Sequence, residues 1–194
     1  VTKKKIIFFS TPFDIESVDF LEKIKVKMYK VASFDISNFQ LLKKIVSTKK
    51  PTIISTGMAT INEIKKTYNL FKNNKVDLAI LHCISSYPNK DETSYLSNIR
   101  YLKEKFNCTI GFSDHTNDIK TSIYSSLLGA EIIEKHFMSS IKSNCVDRLV
   151  SIDPNKFKQM RKEIDNLKKI VSKPKFGLRP EEKKSLIFKR NKIL

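Results

Sequence analysis

Glycine is scarce in this chain, with four in 194 residues, and no G-x-G-x-x-G or P-loop pattern occurs. That excludes nucleotide binding on the usual glycine-rich turn. Cysteine is scarce too: Cys83, Cys108 and Cys145 are odd in number and form no C-x-x-C. This predicts reduced thiols and a cytoplasmic setting, with Cys83 and Cys108 acting as small hydrophobes inside apolar runs. No apolar run approaches the roughly 20 residues that cross a bilayer, so no membrane role is expected. The N-terminal run Ile6-Ile7-Phe8-Phe9 is too short for a signal peptide. Arginine is limited to five of 37 basic residues. The formal charge of +17 is therefore carried by dispersed lysines. Phosphate and base readers favour arginine forks, so no nucleic-acid partner is expected.

What the chain does have is a series of short apolar runs. They cover 5–10, 28–33, 52–55, 78–83, 109–113 and 131–136, and start about 20–30 residues apart. Their near-continuous apolar character suits strands covered on both faces. Amphipathic helical patterns lie between them. Residues 15–24 carry Val18, Leu21 and Ile24. Residues 60–73 open on a Thr60-x-x-Glu63 capping box and carry Ile61, Ile64, Tyr68 and Phe71. Residues 154–171 open on Asp153-Pro154 and carry Phe157, Met160, Ile164, Leu167 and Val171. These stripes are expected to pack in the core.

Repeated strand–helix alternation predicts a parallel α/β fold, either an open doubly wound sheet or a closed barrel. The strand ends favour the barrel. Each run finishes in small polar or basic side chains: Ser10 and Thr11, Ser33, Ser55 and Thr56, Ser85 and Ser86, Ser113, then His136. In a (β/α)8 TIM barrel such ends face one mouth, where catalytic groups gather. Six runs make an incomplete barrel, about six of eight strands. The two missing strands are expected before Val1. Residues 1–171 form the partial barrel, and the basic stretch 172–194, with Pro174, Gly177 and Pro180, reads as a linker.

Two chemistries follow from the strand ends. His115 and His136 lie 21 positions apart at the ends of consecutive runs. Neighbouring parallel strands would bring the two imidazoles to one point, where a divalent metal could sit and polarise a carbonyl. Thr11, Lys30, Ser33, Ser55 and Ser113 suit a dianionic phosphate, the hydroxyls donating and the lysine supplying charge. A Schiff base on Lys30 is the alternative for that lysine, and a non-catalytic basic binding module remains a third reading. His82, inside a run, is expected to be structural.

Taken in order, six motifs resemble the sialic acid synthase family, which makes N-acetylneuraminate, legionaminate or pseudaminate. They are Ser10-Thr11-Pro12-Phe13-Asp14, Tyr29-Lys30-Val31-Ala32-Ser33, Ile54-Ser55-Thr56-Gly57-Met58-Ala59-Thr60, Leu81-His82-Cys83-Ile84-Ser85-Ser86-Tyr87-Pro88, Gly111-Phe112-Ser113-Asp114-His115-Thr116 and Ile133-Glu134-Lys135-His136-Phe137. The resemblance implies a transferase that condenses phosphoenolpyruvate with an N-acylated amino sugar such as N-acetylmannosamine and releases phosphate. It implies a divalent metal, manganese with magnesium as the alternative, on His115 and His136. It places Thr11, Lys30, Ser33, Ser55, Ser85, Tyr87 and Ser113 around phosphoenolpyruvate, and Asp35 and Asp147 near the sugar or the attacking water. It further implies a homodimer for the full-length protein and a small C-terminal antifreeze-like domain beyond 172–194. On this reading the chain is a fragment without full activity of its own. The chain departs from the family at Asp35, where glutamate is usual. It departs again between Phe137 and Val146, where the family has a threonine, an acidic–basic pair and Gly-Pro.

Overall fold

The structure, a computed structural model, describes residues 6–140 and 145–190. Five parallel strands, β1 (Tyr29–Val31), β2 (Thr52–Ser55), β3 (Leu78–Cys83), β4 (Thr109–Asp114) and β5 (Ile132–Lys135), form one sheet in chain order. Six helices, α1 (Ile15–Lys23), α2 (Phe39–Ser47), α3 (Ile61–Asn73), α4 (Ser97–Lys105), α5 (Lys120–Leu127) and α6 (Pro154–Ile170), alternate with them. The α3 capping box forms as expected, with Thr60 and Glu63 satisfying each other's backbone N–H groups. Asp153 caps α6 through the Asn155 and Lys156 amides, with Pro154 in the first turn.

The sheet is curled. Four spacings of a flat sheet would hold β1 and β5 about 19 Å apart. Instead, the Glu134 carboxylate of β5 lies 3.5 Å from Lys30 Nζ of β1 and 3.4 Å from Ser55 Oγ of β2. The outer face carries the main core: Tyr29, Val31, Ile54, Ile80, Ile110 and Phe112 pack against Val18, Leu41, Leu42, Ile45, Ile64, Phe71 and Ile99 of the helices. The concave face has a separate apolar floor of Ile53, Ala79 and Leu81 with Phe9, Met28 and Ile132. Gly111 stands in that floor because a Cβ there would strike the Ile132 carbonyl and the Leu81 side chain. The result is half of a (β/α)8 barrel.

Two expectations are corrected. The run 5–10 is not a strand: only Ser10 bridges to Tyr29, and Ile6, Ile7 and Phe8 are exposed. It has a pairing partner on the β1 side alone among the described residues, and Lys5 lies outside them. Five strands and a bridge therefore replace six strands. The helical stripes are also less buried than expected. Val18, Leu21, Ile64, Phe71, Met160 and Ile164 are core, but Ile24, Ile61, Phe157 and Val171 are exposed. These four sit at or near helix ends, where a turn reaches past the sheet. Beyond α6 the chain is irregular to a short 3-10 helix, Pro180–Phe188, with every side chain exposed. Residues 191–194 of the expected linker lie outside the described part.

The shortage of glycine has a backbone consequence. The chain leaves α1, α2 and α3 through Lys25, Lys49 and Lys75, at φ of 58°, 60° and 55°. This left-handed position usually holds glycine, and a side chain there costs about 1–2 kcal/mol. Lys75→Gly is expected to stabilise the protein by about 0.5–1 kcal/mol, net of glycine's extra chain entropy, and the midpoint of denaturant unfolding measures it.

His82 of β3 faces the helix side, buried and stacked on Phe112. Its Nε2 donates to the Ser94 carbonyl at 2.7 Å. This agrees with a structural residue. Burial disfavours the imidazolium and holds its pKa below the ordinary 6.5. The unfolded chain therefore binds this proton more readily than the folded one. His82's contribution to stability is complete above pH 6.5 and is lost as pH falls from there through the folded value. Stability is expected to decline between pH 7 and pH 5, and His82→Gln to flatten that decline, read by urea midpoints across the range.

Candidate active site

All five strands end at one face, and side-chain alternation sorts what meets there. Along β4 and β5 the pairs Ser113↔Glu134 and Asp114↔Lys135 are in register. Ser113 and Glu134 face the concave side, so His115 and His136, two positions further along each chain, return to it. The two rings lie 5.4 Å apart between centroids. The expected convergence is present.

Their hydrogen bonds define what they can do. His115 Nδ1 donates to the Ile84 carbonyl at 2.8 Å. His136 Nδ1 faces the Asp147 carboxylate at 3.5 Å. With Nδ1 engaged, each ring can offer its Nε2 lone pair, the arrangement usual for a histidine that binds a metal. Burial lowers both pKa values below 6.5, and the proximity of His115 lowers that of His136 further. Both imidazoles are therefore neutral near pH 7, the form a metal requires. Among the described residues no group of three or more His, Cys, Asp or Glu gathers for a metal. Among the described residues, an ion here would have two protein nitrogens, those of His115 and His136. Tyr87 covers the pair, 4.1 Å from His115 and 5.7 Å from His136 by ring centroid. Burial pushes its phenol up to about 12, so it stays a hydrogen-bond donor.

Beside the histidines is a polar cradle. Lys30, 7% exposed, donates to Ser55 Oγ at 2.8 Å and to its neighbour's carbonyl, that of Val31, at 3.1 Å. Ser33 Oγ accepts the Gly57 amide at 2.9 Å and lies 3.6 Å from Cys83 Sγ. A Cβ on Gly57 would collide with the hydroxyls of Ser85 and Ser33, so a bare backbone is what lets three loops converge. Ser113 is buried on the same face as Cys83, its register partner. Thr11 is half-buried, one residue beyond the Ser10–Tyr29 bridge.

Lys30, Ser33, Ser55, Ser85, Tyr87, Ser113, His115, His136 and Asp147 thus share one mouth. Asp35 is less engaged: it sits in a 3-10 turn after β1 and accepts from Asn38 Nδ2 at 3.1 Å. The loop expected to shape sugar choice includes 141–144, which lie outside the described residues.

Two features were not anticipated. Glu134 enters the cradle against Lys30 and Ser55, and its signal was present, since Glu134-x-His136 is strand spacing and puts both on one face. Cys83 is no simple apolar filler, because its thiol lies 3.8 Å from His115 Nδ1 inside the site. Cys108 does fit that description: it packs on the main core, and burial raises its pKa to about 11.

Comparison with known proteins bears on family and fold. The NeuB family model matches residues 1–175. An uncharacterized protein of Methanocaldococcus jannaschii is 40% identical over 190 residues, 97% of this chain and 56% of its own. The N,N'-diacetyllegionaminic acid synthase of Campylobacter jejuni is 37% identical over 172 residues, 87% of this chain and 52% of its own. Among solved structures, the N-acetylneuraminic acid synthetase of Leptospira borgpetersenii superposes with a TM-score of 0.90 at 34% identity. It covers 96% of this chain and 66% of that one. A DAHP synthase of Thermotoga maritima, at 18% identity and a TM-score of 0.74, shares the fold. The chain spans about half the length of the curated relatives it matches. Family model, relatives and superposition agree: the chain belongs to the NeuB family.

Proposed function

We propose that this chain carries most of the active-site wall of a nonulosonic acid synthase. Such an enzyme joins the vinyl carbon of phosphoenolpyruvate to the aldehyde carbon of an N-acylated amino sugar, adds water at the enol carbon and releases phosphate. The observation that carries the reading is the meeting of two imidazoles with a lysine–hydroxyl cradle at one mouth. The relatives named as synthases of legionaminic and N-acetylneuraminic acids support it.

Each group has a part. The Lys30 ammonium and the hydroxyls of Thr11, Ser33, Ser55, Ser85 and Ser113 would bind the phosphate and carboxylate of phosphoenolpyruvate, beneath the Tyr87 ring. Lys30 already donates to the Val31 carbonyl and to Ser55 Oγ and lies 3.5 Å from the Glu134 carboxylate. That suits an ammonium holding an anion better than a free amine forming a Schiff base. His115 and His136 fit a divalent ion, manganese or magnesium. When bound, it would supply Lewis-acid polarisation of the sugar's carbonyl oxygen. Asp147, 3.5 Å from His136 Nδ1, would orient that ring, and Asp35 would act toward the sugar or the attacking water. Holding the two substrates in line would contribute most of the acceleration. We further place the protein in the cytoplasm, as a homodimer in its full-length form. Among the described residues no helix is long and apolar enough to cross a membrane.

The test is inorganic phosphate release from phosphoenolpyruvate with N-acetylmannosamine and other N-acylated hexosamines, with Mn2+, in the full natural chain. Sugar-dependent release is expected. His115→Ala and Lys30→Met are each expected to lower kcat/KM by about 100-fold or more. No sugar-dependent release with any acylated hexosamine, or release indifferent to both substitutions, would overturn the assignment.

A further inference from the structure

A second charged pair lies on the opposite face of the strands that carry the histidines. Lys135 Nζ is 3.3 Å from Asp114 Oδ1, with side chains 2% and 0% exposed. Asp114 precedes His115 and Lys135 precedes His136, and the two form the last in-register rung of the β4–β5 ladder. Strand alternation turns both away from the mouth, so neither can touch a ligand there.

What the pair grips is the backbone around His115. Asp114 Oδ1 accepts the Thr116 N–H at 2.8 Å. Lys135 Nζ donates to the Thr116 carbonyl at 2.5 Å. The other carboxylate oxygen of Asp114 accepts the hydroxyls of Thr121 at 2.9 Å and Ser122 at 2.5 Å, which ties it to α5. The peptide segment after His115 is thus held by a side chain from its own strand and by one from the strand that carries His136. The outer sides are held as well: the His115 carbonyl accepts Asn89 N–H, and the His136 carbonyl accepts Ile152 N–H, each at 2.9 Å.

A buried ion pair contributes little net stability over an apolar replacement of the same volume. Its directional bonds, by contrast, fix one geometry. We infer that Asp114 and Lys135 are positioning residues that set the separation and aim of the His115 and His136 imidazoles, and so the affinity of this pair for a divalent cation. The inference rests on the metal reading of the site given above.

The experiment measures Mn2+ binding to the full natural chain by electron paramagnetic resonance, with no substrate and no turnover. Urea unfolding is run beside it. Asp114→Leu combined with Lys135→Met leaves the Thr116 amide and the Thr121 and Ser122 hydroxyls without their acceptor, so some loss of stability is expected. The folded fraction read from the urea curve is expected to bind Mn2+ about 10- to 100-fold more weakly, the usual cost of removing outer supports of metal ligands. Native affinity in that variant would overturn the proposal and show the pair to be packing only. Should the double variant not fold, Thr121→Val with Ser122→Ala keeps both charges and withdraws two donors from Asp114. A loss of about 3- to 10-fold is expected there, and native affinity would again overturn the proposal. Absence of Mn2+ binding in the unaltered protein would overturn the metal reading itself, and this inference with it.

Discussion

The site depends on one constraint: parallel strands held in register across a curled sheet. In register, residues of the same parity face the same side, and the curl turns that side into a channel. Ser113 and Glu134 line up across one rung, and the next inward positions are His115 and His136. A slip of one residue in β5 would send His136 to the helices and bring Lys135 into the channel. The register is fixed by bulk on the outer face, where Ile110 and Phe112 are almost completely buried in the main core. Apolar packing on one side of the sheet therefore decides which polar groups meet on the other.

The channel is divided along its length. At the floor, Ile53, Ala79, Leu81 and Ile132 pack together and exclude water. At the mouth the same strands present Lys30, Ser55, Ser113 and Glu134. A lysine placed among the floor residues would have no acceptor. One strand rise higher, it reaches a hydroxyl, a carbonyl and a carboxylate. The transition takes place over a single inward step, from Met28 to Lys30 and from Ile53 to Ser55. The apolar floor gives rigidity to the polar groups above it, and this short range lets a small half-barrel keep both a core and a reactive surface.

Much of this was legible from the residues. Five of the six strand runs, the Thr60–Glu63 box and the Asp153-Pro154 start carry local chemistry that needs no tertiary partner. The two histidines were legible because strand ends in a parallel fold share a face. The first run was not, because Ile6 to Phe9 look like a strand to any periodicity rule, whereas a strand also needs neighbours to accept its ladder. Helices α2, α4 and α5 were not singled out, although α2 carries Leu41, Leu42, Ile45 and Val46 at helical spacing. Like α1 they are short, eight or nine residues each, and their stability comes from docking on the sheet. Asp114 and Lys135 were read only as part of a motif. The spacing that pairs the two histidines on one face also pairs these two, one position earlier on each strand, on the other.

The two cross-strand ion pairs show how similar chemistry takes opposite roles on the two faces. Lys30 and Glu134 meet in the channel, where the Glu134 side chain is 39% exposed and open to water while that of Lys30, at 8%, is not. An incoming anion can take over the lysine at modest cost, because the carboxylate it replaces is rehydrated on the spot. Asp114 and Lys135 are sealed behind the sheet, and parting them would leave two charges in a medium that cannot solvate them. The inner pair is therefore exchangeable and the outer pair is fixed. A binding site needs both properties within a few ångströms: groups that release one partner for another, carried on a backbone that does not move when they do. Parallel strand alternation supplies that division without any extra structure, since adjacent residues on one strand face the channel and the sealed side in turn.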